Sequence, residues 1–402
     1  MLSRAVVHAD KALKSCKHLF SRALNAAPQR LHFAAHSHHL WPDASFDAHM
    51  QAWNDAARLA DRKWEHVFAH IIPATQRHIA AELHLPDAGS IAFGPNTHEL
   101  VQRIFSAKQK DGPIEVLTSD GEFHSFRRQL ARWEEDGMVR RRTVPCAPFE
   151  SFTARYLAAV AEKAPDIAFV SHVMFQTGLR FDGIDALSER ARPDGMWAVI
   201  DGYHAFMAMP VDLGRAANST FYLAGGYKYA MAGEGAAFLH APAGFGPRPV
   251  DTGWYAEFAD IEASPKNEVA YSRDGMRFMG ATFDPSGLYR FNAVRDMLAA
   301  EGLDTNAVAA RCGALRDKLE AAIASGKAGA LKDAEILRPN ATGPRARYLA
   351  LRDKRALAWM SELLKNDVIV DARGDVLRIG IGLYHDDADI EALCDKLTAL
   401  PG

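Results

Sequence analysis

Cysteine is scarce. Cys16, Cys146, Cys312 and Cys394 stand far apart in a chain of 402 residues, and no two form a C-x-x-C pair. A disulfide framework is thereby excluded, and a reducing cytoplasm fits best. No apolar run approaches the roughly 20 residues that a membrane-spanning helix needs. Neither sign of charge dominates, since the formal net charge is −3. The basic footprint of a nucleic-acid binder and an acidic solvating tail are both missing. There are no internal repeats and no low-complexity tracts. The opening segment does carry Arg4, Lys11, Lys14, Lys17 and Arg22 against Asp10 alone. It lacks the serine bias and apolar centre of a targeting signal, so it reads as a surface helix.

What remains is globular material with enough apolar residues, 48%, for a large core. From about residue 89 to 242, short apolar runs alternate with helical periods. Strands are expected over 90–93, 114–117, 167–172, 197–201, 220–223 and 235–240, and helices over 98–107, 126–135, 152–163 and 184–192. This alternation predicts an α/β fold whose largely parallel sheet is covered on both faces. The last two strands lie too close for a crossover helix, which predicts an antiparallel neighbour there. After about residue 290 the pattern changes. Helices over 292–301 and 306–325, a strand over 347–351, a helix over 354–365, strands over 368–371 and 376–381, and a helix over 387–400 predict a smaller α+β unit.

The chemistry gathers around two segments. Asp201-Gly-Tyr-His204 follows Trp-Ala-Val-Ile, so it stands at the carboxyl end of a buried strand, where ligands bind in open α/β sheets. A helix cap is the plain reading of such an aspartate, which is costly to bury without a partner. Further on, Gly225-Gly-Tyr-Lys228-Tyr-Ala-Met-Ala-Gly233-Glu-Gly235 follows another short strand. The glycines let the backbone turn and approach a ligand closely. Burial among tyrosines would lower the lysine's pKa and favour nucleophilic attack. Alone, Lys228 would be a solvated surface group. Paired with a strand-end aspartate, it suits pyridoxal phosphate (PLP): the amine bonds to the cofactor, and the carboxylate keeps the pyridine nitrogen protonated so that the ring accepts electrons. Gly94-Pro95-Asn96-Thr97-His98-Glu99 opens a helix after a strand and offers an anion site, although a simple N-cap explains it alone. In Ser119-Asp-Gly-Glu122-Phe123-His124-Ser125, Phe123 or His124 is placed to stack on a planar ring, although either alone would be ordinary packing.

These segments, in this order, resemble the class V aminotransferase superfamily of fold-type I PLP enzymes, and kynureninase most closely within it. The likeness runs from about residue 32 to 393 and is strongest at Asp201-x-x-His204-Ala205 and Tyr227-Lys228-Tyr229. It implies a mixed, mostly parallel seven-stranded sheet. It divides the chain into an N-terminal segment over 1–45 near the active site, a large PLP-binding domain over 46–290 and a small C-terminal domain over 291–402. Lys228 is then the PLP lysine, Asp201 the partner of the pyridine nitrogen, and His204 a neighbour of the cofactor. Tyr227 binds the phosphate and assists proton transfer. Phe123 stacks on the ring beside His124, and Asn96, Thr97 and His98 form the phosphate loop. Gly253-Trp254 and Gly280-Ala-Thr282 resemble segments that reach the phosphate, the latter from a neighbouring subunit, which implies a homodimer. Asp371-Ala-Arg373-Gly-Asp-Val-Leu-Arg378-Ile resembles the motif whose final arginine holds the substrate α-carboxylate, and a bidentate guanidinium suits that task. The histidine-rich Ala35-His-Ser37-His-His-Leu-Trp-Pro42 replaces a stretch near the substrate, which assigns Ser37 and His38 to substrate binding.

The implied reaction begins with an amino acid whose α-proton is taken by Lys228. Its kynureninase form ends in hydrolysis of a C–C bond at the β-carbon of an aromatic or related amino acid. A class V aminotransferase or a β-eliminating lyase is the alternative. The pocket departs from kynureninases at Phe126, Phe175, Gln176 and Phe283. Cysteine desulfurases are set aside, because no cysteine lies between Cys312 and Cys394. Two rival readings are a zinc hydrolase built on His36, His38 and His39 with His32 and His66, and an inert homologue. The first has poor ligand spacing. The second fails to explain why Lys228, Asp201 and Arg378 occur together. No metal, nucleic acid or membrane partner is expected.

Overall fold

A computed structural model describes residues 15–108, 110–257 and 269–401. Its strands, in chain order, are β1 (Leu31–His32), β2 (Ile91–Gly94), β3 (Ile114–Ser119), β4 (Val139–Val144), β5 (Ile167–Ser171), β6 (Trp197–Asp201), β7 (Thr220–Ala224), β8 (Ala237–His240), β9 (Glu335–Ile336), β10 (Tyr348–Arg352), β11 (Val368–Ile369), β12 (Asp371–Arg373) and β13 (Val376–Gly380). Seven of them form one sheet in the order β2-β8-β7-β6-β5-β3-β4. All neighbours in it are parallel except β8, which runs against both β2 and β7. The expected mixed, mostly parallel seven-stranded sheet and the antiparallel β7–β8 neighbours are therefore both present.

β5, β7 and β8 are buried along their whole length, which is why they read as unbroken apolar runs. β4 escaped the sequence reading. Its Val-Arg-Arg-Arg-Thr-Val buries only its two valines, as suits an edge strand that is blunted by charge. The helix Ile184–Ser188 is shorter than the expected 184–192, because Pro193 and Gly195 follow closely. The helices Asp43–Leu59 and Ile72–Leu83 were not anticipated, and both pack along Ser286–Ala300.

Topology places the candidate residues at one edge. β2 ends before Thr97, β3 before Phe123, β6 at Asp201 and β7 just before Lys228. A second sheet, β12-β13-β10-β9, is antiparallel throughout. β1 pairs in parallel with β11, and Ala34 bridges to Gly380, so the chain after β1 is laid against β13. Most of the expected N-terminal surface helix lies outside the described residues. Its tail is the 3₁₀ turn Lys17–Phe20 followed by the helix Ser21–Ala26. Among the described residues, no helix is long and apolar enough to cross a membrane.

Candidate active site

Lys228 sits in the loop after β7 with 4% of its surface exposed. Gly225 shapes the approach, because any side chain there would run into the Tyr203 hydroxyl. The Lys228 amine lies 2.7 Å from His204 Nε2. It faces the rings of Tyr203 at 4.5 Å, Phe123 at 5.2 Å and Tyr227 at 5.6 Å. Burial pushes the Lys228 pKa down to about 7, against the pull of Asp201. Burial also holds His204 well below the usual histidine range, with Lys228 and Arg378 adding to the effect. His204 Nδ1 is buried without a hydrogen-bond partner.

Asp201 closes β6 and accepts a hydrogen bond from the Tyr203 backbone N–H at 2.9 Å. Loss of water raises its pKa, while the Tyr203 bond and Lys228 counter the rise. Tyr227 is hydrogen-bonded to Tyr203 through its hydroxyl, and its pKa is pushed up to about 12 by burial and then by Asp201. Beneath this group lies Glu122, fully buried, which takes hydrogen bonds from the Ser119 and Ser171 hydroxyls at 2.5 Å each and from Ser171 N–H at 3.0 Å. Burial raises the Glu122 pKa to about 7, and Asp201 adds to the rise.

Arg378 points from β13 toward Phe175. It donates to the Phe175 carbonyl at 2.5 Å and lies over that ring at 5.5 Å. The Phe175 ring meets Phe123 edge-on at 5.4 Å and His124 at 5.0 Å. Phe123, Phe175 and His124 thus join the lysine to the arginine. Arg378 is ion-paired with Asp371, its Cα partner on β12. Gln176, next to Phe175, donates to the Arg373 carbonyl at 3.2 Å, and the other two positions that set the sequence apart from kynureninases lie elsewhere. Phe126 stacks on Phe169 at 3.6 Å in the core, and Phe283 packs toward Tyr255.

The remaining expected residues lie further out. Asn96 caps the helix Thr97–Ala107 by accepting from Glu99 N–H at 3.0 Å. Thr97 and His98 follow it, and a groove runs from Asn96 and His98 past His124. Trp254 donates its indole N–H to Thr282 at 3.1 Å, and Gly253 packs on the Gly280 backbone. Ser37 bonds to His38, and the exposed His38 stacks on Tyr227 at 4.9 Å. His39 is a core residue bonded to the Leu40 carbonyl at 2.7 Å. Among the described residues, no three His, Cys, Asp or Glu side chains converge as metal ligands. Sequence reading gave no site role to Tyr203, Glu122 or Asp371, although all three lie inside motifs it had marked, and it weighed His36 only with the neighbouring histidines, as a metal ligand or a pocket residue. Cys312 is buried in the helix Thr305–Ala324, and Cys394 lies in the helix Asp387–Thr398. Burial raises the pKa of both thiols.

The aminotransferase class-V family model matches residues 44–344. The chain belongs to that family. The family is PLP-dependent. A relative within reach of sequence comparison is isopenicillin N epimerase of Streptomyces clavuligerus, 29% identical over 342 residues, covering 78% of this chain and 80% of the epimerase. Among solved structures, a lysine mutant of C-DES with glycine covalently linked to its PLP cofactor superposes with a TM-score of 0.80 at 16% identity, covering 96% of this chain and 99% of that one. The apo cysteine desulfurase of Thermococcus onnurineus NA1 gives 0.78 at 14% identity, covering 96% and 98%. The cysteine desulfurase CsdA of Escherichia coli gives 0.74 at 16% identity, covering 92% and 94%. At such identities the likeness establishes the fold, which is fold type I.

Proposed function

We propose that this class V family member is a PLP enzyme that holds an amino acid by its α-carboxylate and withdraws the α-proton with Lys228. The observation that carries the reading is the buried Lys228 amine, ringed by Tyr203, Phe123 and Tyr227, with its pKa near neutrality. The residues fit the cofactor. Asp201 is a deeply placed carboxylate near the amine, His204 Nδ1 is an orphaned buried nitrogen, and Asn96, Thr97 and His98 open a helix that favours an anion. Bound PLP would supply the electron sink for a carbanion at the substrate α-carbon.

The chain's own residues divide the remaining work. Asp201 holds the proton of the pyridine nitrogen. Lys228, with about half of its amine uncharged at neutral pH, accepts the α-proton and returns one. Tyr227, with Asn96, Thr97 and His98, binds the phosphate, and Phe123 with His124 covers the ring. Arg378 takes the α-carboxylate, while Ser37 and His38 stand at the entrance.

Two reactions follow from different observations. The wall made by Phe123, Phe175 and His124 suits an aromatic side chain, which supports kynureninase-type hydrolysis at the β-carbon. The relation to an epimerase supports return of the proton to the opposite face. Incubating the holoenzyme with kynurenine, 3-hydroxykynurenine and a panel of L-amino acids decides between them. Anthranilate release establishes the hydrolase, and a D-product on chiral chromatography the epimerase. Dependence on a keto-acid acceptor establishes an aminotransferase, and loss of a β-substituent a lyase. No solvent deuterium entering any α-position would sink the common reading.

A homodimer is part of the same proposal. Met50, 42% exposed, and Trp53, 65% exposed, lie on one side of the helix Asp43–Leu59, and an apolar surface of this kind suits a subunit contact. Trp254 and Thr282 would then serve a second copy's phosphate. Sedimentation velocity with Trp53→Glu tests it: a wild-type monomer contradicts the dimer. The four free cysteines suit a cytoplasmic setting.

A further inference from the structure

Asp371 and Arg378 face each other across the β12–β13 ladder, and their side chains form a buried ion pair. The Asp371 carboxylate stands on the guanidinium that the reading above gives to the substrate. Arg378 spends one nitrogen on the Phe175 carbonyl, and its Nε has no partner. A substrate carboxylate that takes Arg378 through Nη2 competes with Asp371 Oδ2 for that nitrogen and turns it aside. A buried carboxylate oxygen then needs another donor.

That donor is in place. His36 is fully buried, and neither ring nitrogen has a hydrogen-bond partner. Its Nε2 lies 3.9 Å from Asp371 Oδ2, just beyond bonding distance. Among the described residues the ring therefore has both nitrogens free of protein partners, one of which can donate to an Asp371 oxygen that turns toward it. β13 makes room for the ring, since a side chain at Gly380 would run into His36 Nδ1. The Tyr348 ring lies 4.9 Å away and holds the imidazole in position. The charged or titratable groups around it are Arg378, Lys228, His32, Arg373, Asp371, His204 and Tyr348. Meanwhile Asp371 Oδ1 is tied to Arg373 at 3.1 Å, a pivot that the carboxylate keeps when Oδ2 turns.

We propose that Asp371 is a substrate-displaceable latch on Arg378, and that His36 receives its carboxylate when an amino acid's α-carboxylate takes the guanidinium. His36 is a positioning residue that acts through Asp371. The latch rests on the reading of Arg378 as the carboxylate clamp.

The test is calorimetric binding of 3-phenylpropionate to the holoenzyme. This carboxylate has no amine and cannot enter the covalent chemistry, so the readout is independent of turnover. His36→Phe should weaken binding about tenfold, the weight of one charge-assisted hydrogen bond. His36→Gln keeps an N–H donor and should restore most of the loss. Asp371→Asn should bind more tightly than wild type, and adding His36→Phe to it should change nothing further. Equal losses from His36→Phe in both backgrounds, or weaker binding by Asp371→Asn, would overturn the latch. Arg378→Ala binding as well as wild type would instead overturn the clamp reading, and the latch with it.

Discussion

Lys228 Nζ lies 2.7 Å from His204 Nε2, and both bases are buried. Two cations cannot share such a place, and burial favours the neutral form of each. With Lys228 at about 7 and His204 well below its usual range, about half of the lysine presents a lone pair at neutral pH and nearly all of it does above about pH 8. Capture of PLP by the apoenzyme should therefore accelerate as pH rises through about 7 and level off above it. Stopped-flow absorbance measures this. A rate that still climbs toward pH 10 would mean that the amine keeps an ordinary lysine pKa.

Asp201→Asn preserves the side chain's shape and its bond from Tyr203 N–H while removing the charge. Turnover should fall about a hundredfold or more, the scale of losing one preorganised electrostatic partner, while attachment of PLP to Lys228 persists. Steady-state kinetics beside the absorbance spectrum checks both. Unchanged turnover would remove Asp201 from the mechanism.

Arg378→Ala should raise KM for an amino acid by roughly 2–4 kcal/mol of lost binding, since the guanidinium is buried. A change within a factor of two would hand the carboxylate to Arg373. Arg347 is the other candidate: its Nη2 is bonded to the Met207 and Ala208 carbonyls, while its Nε and Nη1 are buried without a hydrogen-bond partner.

Glu122 links the site to stability. Its pKa is raised from 4.5 to about 7, so the folded protein holds a proton there that the unfolded chain gives up. This contribution is complete below about pH 4.5 and is lost as pH climbs through 7. Between pH 5 and 8 the wild type should lose up to roughly 3 kcal/mol through this group, and Glu122→Gln should not. Denaturant melts at the two pH values test it. Parallel profiles would show that Glu122 is ionised in the fold.

Much of this was legible because the chemistry sits on strand ends. Trp-Ala-Val-Ile before Asp201 is a strand buried on both faces, and such strands announce themselves as apolar runs. The glycines around Lys228 marked a close approach of backbone to ring. β4 was hidden by its arginines, and the pairing of Asp371 with Arg378 by its origin in cross-strand register. His36 was obscured for a different reason. Among adjacent histidines only tertiary packing decides which one turns inward: His36 is buried beside Arg378, His38 lies outside on Tyr227, and His39 is spent in the core.

The most direct measurement is borohydride reduction of the protein with PLP, followed by proteolysis and mass spectrometry. Reduction fixes the cofactor to whichever lysine bears it. The label should be found on Lys228 and be absent from Lys228→Ala. A label on another lysine, or none, would contradict the assignment on which the whole mechanism stands.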